Sequence, residues 1–187
     1  MTREPAGAPA RHRSMWKWLV AGLALLVIAV GLWAFEPWRL FTSSEIDEPL
    51  PSVAVDEGEA APDKPDSKRS SQPELVELDA GDFEDAEHDT AGTARVIELS
   101  DGSRFVRLED LASSDGPDLH VWITDQPSGG DWGSYDDGRY VKLGELKATH
   151  GNQNDAIPAG TSLNGLQSVV IWCDRFNVAF GTAPVKL

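Results

Sequence analysis

The chain contains a single cysteine, Cys173, and this residue offers the most specific chemistry in the sequence. It follows an apolar run over 169–172 and precedes the short reversal Asp174-Arg175-Phe176, so we place it at the end of a strand. A thiol there can exchange electrons or ligate a prosthetic group if it ionises and can be reached. A free cysteine is also commonly a small buried hydrophobe. Both interpretations stay open, whereas an intramolecular disulfide and a cysteine-rich zinc site are excluded.

A histidine is the second candidate. His120 lies in the predicted strand Leu119–Thr124, where alternation places it on the same face as Trp122. A neutral imidazole is a good ligand for iron or copper, although most such histidines are half-exposed strand residues. The sequence fixes no second ligand beside it, so we predict no metal site. The candidate cofactor contacts are Cys173, Trp172 and His120, and Cys173 is the redox candidate.

A loop rich in glycine, aspartate and aromatic residues runs from Gly129 to Gly138. Carboxylates coordinate calcium and aromatic rings stack on sugars, but the spacing fits no calcium loop such as the EF-hand. We therefore predict a mobile loop. The sequence also has no Gly-x-Ser-x-Gly nucleophile elbow, and its carboxylates cluster in turns. An enzyme with turnover is the function class with the least support.

The residues after His88 form short β-branched or aromatic runs separated by turn residues, a pattern typical of an all-β domain. The runs predict strands over 93–99, 104–108, 119–124, 139–143, 168–173 and 175–180, with an Asp-Gly hairpin turn between the first two. The run over 168–173 is apolar on both faces, which indicates a central strand covered on two sides. Only 143–149 is expected to form a brief helical turn. About seven strands without a long helix predict a β-sandwich over 88–187.

An apolar stretch near the N-terminus predicts a membrane anchor. Trp18 to Phe35 carries no charge, and as a helix it would span roughly 27 Å, close to the ~30 Å hydrocarbon thickness. It lacks the polar stripe of a core helix, and bulky residues occupy the zone where a signal peptide is cut. We predict an uncleaved transmembrane helix over 18–37 in contact with membrane lipid. The basic residues of 1–17 place the N-terminus in the cytoplasm and the C-terminal domain outside it.

The segment over 41–87 is predicted to be a disordered linker. Of the 31 acidic residues in the chain, sixteen lie between Glu45 and Asp89, opposed only by Lys64, Lys68 and Arg69. Proline and serine are frequent and apolar residues are sparse, so the segment has little to offset the entropy of ordering. The formal net charge of −15 also disfavours a nucleic-acid partner, because phosphate backbones attract basic surfaces.

Four stretches carry a resemblance to a known family: 116–121, Gly-Asn-Gln-Asn at 151–154 with 157–161, Val169–Phe176, and Phe180–Pro184. In this order and spacing they resemble the DM-thirteen domain, also called the electron-transfer DM-thirteen family, over about residues 92–185. The resemblance implies a redox role, because the family occurs beside haem-binding DOMON domains in some animal proteins and has a cysteine matching Cys173. Asp155 departs from the pattern, which has an aromatic residue there.

Two functions therefore remain open. The first is a membrane-anchored, extracytoplasmic electron-transfer module that acts through Cys173, either alone or with a haem or other redox group, and meets a redox partner protein at the cell surface. The second is a cell-surface ligand-binding or adhesion module in which Cys173 is structural and buried. The cofactor stays unknown under both hypotheses.

Overall fold

The computed structural model describes residues 11–35, 42–52 and 75–187, and the chain divides into two units, Met1–Trp38 and Arg39–Leu187. The first unit contains one helix, α1 (Arg11–Phe35). Its stretch Trp16–Trp33 is long and apolar enough to cross a membrane, a test that a signal sequence also passes. The helix starts earlier than the predicted span of 18–37, and Pro37 lies outside the described residues.

The second unit is a β-sandwich of two five-stranded sheets, which confirms the predicted fold class. The first sheet has the order β1 (Glu45–Asp47), β8 (His150–Ile157), β5 (Arg104–Ser113), β4 (Thr90–Leu99), β2 (Leu75–Asp82). The second sheet has the order β3 (Glu84–Asp85), β10 (Val178–Pro184), β9 (Ser168–Cys173), β6 (Leu119–Thr124), β7 (Tyr140–Glu145). The only parallel pair among these strands of the described chain is β1 with β8.

The core lies between the two sheets and follows directly from alternation along the strands. Side chains at every second position of β4 and β5 meet those of β6 and β9, because successive residues of a strand point to opposite faces. These residues are fully or nearly fully buried: Val96, Val106, Leu108, Val121, Ile123, Val169, Ile171. A second, smaller cluster covers the outer face of the second sheet: Trp122, Tyr135, Val170, Trp172, Ala179. The prediction that 168–173 is a central strand covered on both faces is thus confirmed.

Most predicted strands are present, and the differences have local causes. The Asp-Gly turn forms as expected: Gly102 has φ +82° and Leu99 N donates to Ser103 O. The predicted strand over 175–180 instead begins at Val178, because the reversal after Cys173 takes four residues and ends on Asn177 at φ +56°. The helical turn expected over 143–149 is absent, since β7 continues to Glu145.

Part of the predicted linker over 41–87 belongs to the sandwich. Its described portions contain β1, β2 and β3, and β2 pairs with β4 along its length. These edge strands are held by backbone hydrogen bonds and by ion pairs rather than by burial; Glu48, for example, accepts from Lys147 Nζ and from Asn154 N. The domain therefore begins before residue 88. Residue 41 and residues 53–74 of the predicted linker lie outside the described residues.

The backbones of β1 and β8 approach each other closely at Gly151. Gly151 has φ +95°, and a Cβ at this position would collide with Ile46 O. Glycine is the residue that accepts both the positive φ and the close approach without strain. The Gly-Asn-Gln-Asn stretch therefore forms a polar strand, β8, that the sequence analysis did not predict as a strand.

Asp155 on β8 gives the sandwich a pH-dependent contribution to stability. The carboxyl group is 4% exposed, its Oδ2 has no hydrogen-bond partner, and burial raises its pKa to about 6. Lys147 opposes this shift and Glu48 adds to it. Because the folded state binds the proton more tightly than the unfolded chain, its stabilising contribution is present below about pH 4 and is lost as the pH rises through about 6.

We expect the difference in unfolding free energy between the wild type and Asp155→Asn to change with pH. The amide cannot ionise, so the wild type should lose at most about 3 kcal/mol relative to the variant between about pH 4 and about pH 7. Urea unfolding of the full chain in detergent, followed at several pH values, measures this difference. A difference that stays constant across the range would show that Asp155 does not titrate in this way.

Candidate functional site

The three predicted site residues lie side by side on two neighbouring strands. In the antiparallel pair β6 and β9, Leu119 is the partner of Cys173 and His120 is the partner of Trp172. The reversal that follows β9 is tied to the start of β6, because Asp174 N donates to Asp118 O at 3.0 Å. The sheet register therefore brings Cys173, Trp172 and His120 together.

The same register separates the thiol from the other two side chains. Cys173 belongs to the core cluster between the sheets, whereas Trp172 belongs to the cluster on the outer face. His120 is opposite Trp172 in the ladder and shares its face. No single flat group can therefore contact the thiol and the imidazole from one side of the sheet.

Cys173 is buried more completely than its strand-end position suggested. The redox interpretation of the sequence called for a thiol that reagents can reach and the structural one for a buried thiol, and none of its surface is exposed to solvent. Burial raises its pKa, and the backbone N–H groups of Phe176 and Arg175, which donate to the sulfur, partly oppose that shift. The four-residue reversal closes over the strand end, with Asn177 N donating to Cys173 O at 2.9 Å. A haem iron has no access to this sulfur, so the residues present do not fit a haem–thiolate site.

Three aromatic rings form a continuous stack across the outer face. The rings of Tyr140 and Trp122 are 4.5 Å apart and nearly parallel, and those of Trp122 and Trp172 are 4.6 Å apart. The residues come from β7, β6 and β9, where diagonal neighbours on adjacent strands can touch. We call Tyr140, Trp122 and Trp172 the ring stack.

The ring stack runs from the surface to the interior. Tyr140 is 38% exposed, Trp122 is 2% exposed, and Trp172 has no exposed surface. One peptide bond joins Trp172 to Cys173. The buried indole N–H of Trp122 has no hydrogen-bond partner in the described part of the chain. The sequence analysis did not predict the stack, although Trp122, Tyr140 and Trp172 all lie in strands that it predicted.

The loop from Gly129 to Gly138 covers this face instead of extending freely into solvent. Tyr135 is completely buried against the tryptophans, and its hydroxyl accepts a hydrogen bond from Gly130 N at 3.0 Å. Thr124 Oγ1 donates to Tyr135 O, and Ala179 N donates to Trp132 O. These bonds anchor the loop that we had predicted to be mobile, and they keep water from the inner rings.

A polar group lies at the end of the same face. His120 Nε2 is 3.0 Å from Asp118 Oδ1 and 3.5 Å from Asp174 Oδ2. Lys142 Nζ contacts Asp174 at 2.9 Å and also lies 4.6 Å from the centre of the Trp122 ring. We call Asp118, His120 and Asp174 the Asp-His-Asp cluster. All three side chains are partly exposed.

Comparison with known proteins gives one match. The model of a family described as "Electron transfer DM13" matches residues 82–185, which include both strands of the site and every residue of the ring stack. No curated protein and no solved structure matches this chain. The matched range covers more than half of the sequence and runs from the last residue of β2 to just beyond β10.

The burial of Cys173 predicts slow modification of the native protein. A small alkylating reagent should react no faster than the sandwich opens, because the thiol has no exposed surface. Replacing Cys173 by Ser should lower the unfolding free energy by about 1–3 kcal/mol more than replacing it by Ala, since a hydroxyl in an apolar site lacks a partner. Mass spectrometry of timed reactions and urea unfolding provide the two measurements. Fast alkylation of the folded chain would contradict the placement of the thiol.

Proposed function

Because the chain belongs to the electron transfer DM13 family, we propose that its sandwich is an electron-transfer module in which Cys173 is the redox group and the ring stack is its route to the surface. The family supports a redox role in general. The finer assignment to one cysteine and one route comes from the arrangement of the site.

The observation that carries the proposal is the continuity of the ring stack. Its rings are in contact at 4.5 and 4.6 Å, and they connect exposed Tyr140 with buried Trp172, the residue bonded to Cys173. Tyrosine and tryptophan are the side chains whose rings most readily give up a single electron. Electrons can pass between such rings without movement of heavy atoms, which suits a rigid, central part of a sheet.

In the oxidising direction, one electron passes from Cys173 through the ring stack to a partner protein in the following steps. A one-electron acceptor on a partner protein takes an electron from the ring of Tyr140. Trp122 then reduces the oxidised ring of Tyr140, and Trp172 reduces Trp122. The thiol of Cys173 supplies the last electron and becomes a thiyl radical, and its proton passes to solvent water. Trp122 keeps its own proton because its N–H has no acceptor among the described residues. Reduction of the thiyl radical reverses these steps.

Burial of Cys173 limits the chemistry that competes with this route. Thiol–disulfide exchange needs a thiolate that attacks a sulfur atom directly, and a thiol without exposed surface cannot make that approach. Single electrons do not need such contact. The enclosed position therefore favours one-electron transfer over exchange with another protein's disulfide.

The helix α1 bears on where in the cell the proposed module acts. Its apolar stretch Trp16–Trp33 meets the length and composition of a membrane span. We propose that it anchors the chain in lipid, with the N-terminus in the cytoplasm and the sandwich outside, where Tyr140 meets a redox partner protein at the cell surface. The bias of basic residues toward the N-terminal flank supports this orientation.

A second candidate function follows from a different observation. Cys173 packs in the apolar core, as a structural cysteine would. A cleft of about 390 Å³ is lined by residues 115–119 and 145–149 together with Ser44. In this alternative the sandwich is a cell-surface ligand-binding or adhesion module that uses the cleft, and the rings of the stack only pack against one another.

Replacing Tyr140 by Phe should interrupt the ring stack while preserving its packing, because a phenyl ring stacks well but resists oxidation. The full chain in detergent is oxidised briefly with a photoactivated ruthenium polypyridyl complex and persulfate. Mass spectrometry then compares oxidation of buried Trp122 with that of Trp132, which is 50% exposed and reacts directly. We expect this ratio to fall several-fold in Tyr140→Phe.

Tyr140→Trp is the matched control, because it keeps an oxidisable aromatic ring at the exposed end of the stack. It should leave the Trp122 to Trp132 ratio unchanged. Equal ratios in the wild type and Tyr140→Phe would remove the support for this route and favour the ligand-binding alternative.

The proposed orientation is tested by reporter fusions. A phosphatase that is active only outside the cytoplasm, fused after Leu187, should be active, whereas the same reporter fused before Met1 should be inactive. The charge bias across α1 is the physical reason. A stable but inactive C-terminal fusion would reverse the assigned orientation, and a cleaved helix would show that α1 is a signal sequence.

A further inference from the structure

We infer that the Asp-His-Asp cluster binds a divalent transition-metal cation of the zinc class. One imidazole nitrogen and two carboxylate oxygens, from His120, Asp118 and Asp174, lie within 4.8 Å of one another. The sequence offered only the histidine, since Asp174 is distant in the chain and reaches the site through the pairing of β9 with β6. This inference does not depend on the proposed electron route.

The backbone of the sheet holds the three ligands in position. His120 lies in β6 and Asp118 directly precedes that strand, and their side chains meet with 3.0 Å between Nε2 and Oδ1. Asp174 directly follows β9, and its N–H donates to Asp118 O at 3.0 Å. Both carboxylate ligands thus lie in turns that a backbone hydrogen bond ties together at the paired ends of β6 and β9, which reduces the entropy lost when a cation is bound.

The donor set selects the kind of cation. Imidazole nitrogen suits zinc, copper, nickel and iron, whereas calcium and magnesium are bound almost entirely by oxygen. Three protein ligands that include histidine and carboxylate leave a fourth tetrahedral position for water. The carboxylates of Asp118 and Asp174 are 42% and 28% exposed, so a hydrated ion can reach them.

Lys142 competes with such a cation for the carboxylate of Asp174. Its ammonium nitrogen lies 2.9 and 3.2 Å from the two carboxylate oxygens of Asp174. With Lys142 included, two carboxylates face a single ammonium group, so the carboxylates outnumber the lysine that pairs with them. A divalent ion that binds here must displace the ammonium or share Asp174 with it. Lys142 should therefore weaken metal binding, whereas a purely structural ion-pair network would need it.

The test is calorimetric titration of the untagged full chain in detergent with Zn²⁺, repeated with Ca²⁺. We expect saturable binding of one Zn²⁺ and no comparable binding of Ca²⁺. His120→Gln and Asp174→Asn should each weaken Zn²⁺ binding by more than about ten-fold. Co²⁺ should give the visible absorption bands of a tetrahedral site in the wild type and lose them in His120→Gln.

Two further variants distinguish a metal site from an ion-pair network. Lys142→Gln should tighten Zn²⁺ binding, a gain that loss of folding cannot produce. His150→Gln changes a histidine outside the cluster and should leave binding unchanged. Unchanged or weaker Zn²⁺ binding in Lys142→Gln, or equal binding by the wild type and His120→Gln, would overturn the inference.

Discussion

The antiparallel pairing of β6 with β9 is the constraint on which the site depends. Its register sets Leu119 against Cys173 and His120 against Trp172. From that register, strand alternation sends the thiol into the core and the tryptophan to the outer face. A shift of β9 by one residue would move the thiol to the outer face and Trp172 into the core, so the core packing that fixes the register also fixes the surroundings of the thiol.

A packed layer of side chains covers the outer face of the second sheet. In an antiparallel sheet that face is commonly exposed to solvent. The loop around Tyr135 closes over Trp122 and Trp172, and the buried rings gain contacts that an exposed sheet face would lack. Because both faces of β9 are covered, the aromatic rings are packed on one face and the thiol is enclosed on the other. Burial also accounts for the raised pKa of Cys173, because a thiolate is poorly solvated in an apolar site.

The sequence predicted those parts of the fold that burial determines. The bounds of β6 follow from its apolar alternation, those of β9 follow from a run that is apolar on both faces, and the hairpin after Leu99 follows from its Asp-Gly turn. Edge strands β1 and β2 were missed because they are acidic and are held mainly by backbone bonds to a neighbour. Polar β8 was missed because hydrophobic patterning carries no signal for a strand of glycine and amide residues.

The sequence predicted individual residues of the site but not how they are arranged. Cys173, Trp172 and His120 could be chosen from residue type, but the face of each one depends on the register between strands that lie about fifty residues apart. The burial of Cys173 depends on the length of the reversal after β9, which has four residues. The ring stack requires three strands at once, and Asp174 meets His120 only through the pairing of β6 with β9, so no local pattern encodes either combination.

The central claim is that Cys173 supplies electrons to the ring stack. Flash oxidation of the full chain, followed by the optical decay of the tryptophan radical, tests it most directly when the wild type is compared with Cys173→Ala. If the thiol refills the oxidised rings, part of the tryptophan radical signal should decay faster in the wild type and persist in the alanine variant. Identical decay in the two proteins would show that the rings and the thiol exchange no electrons.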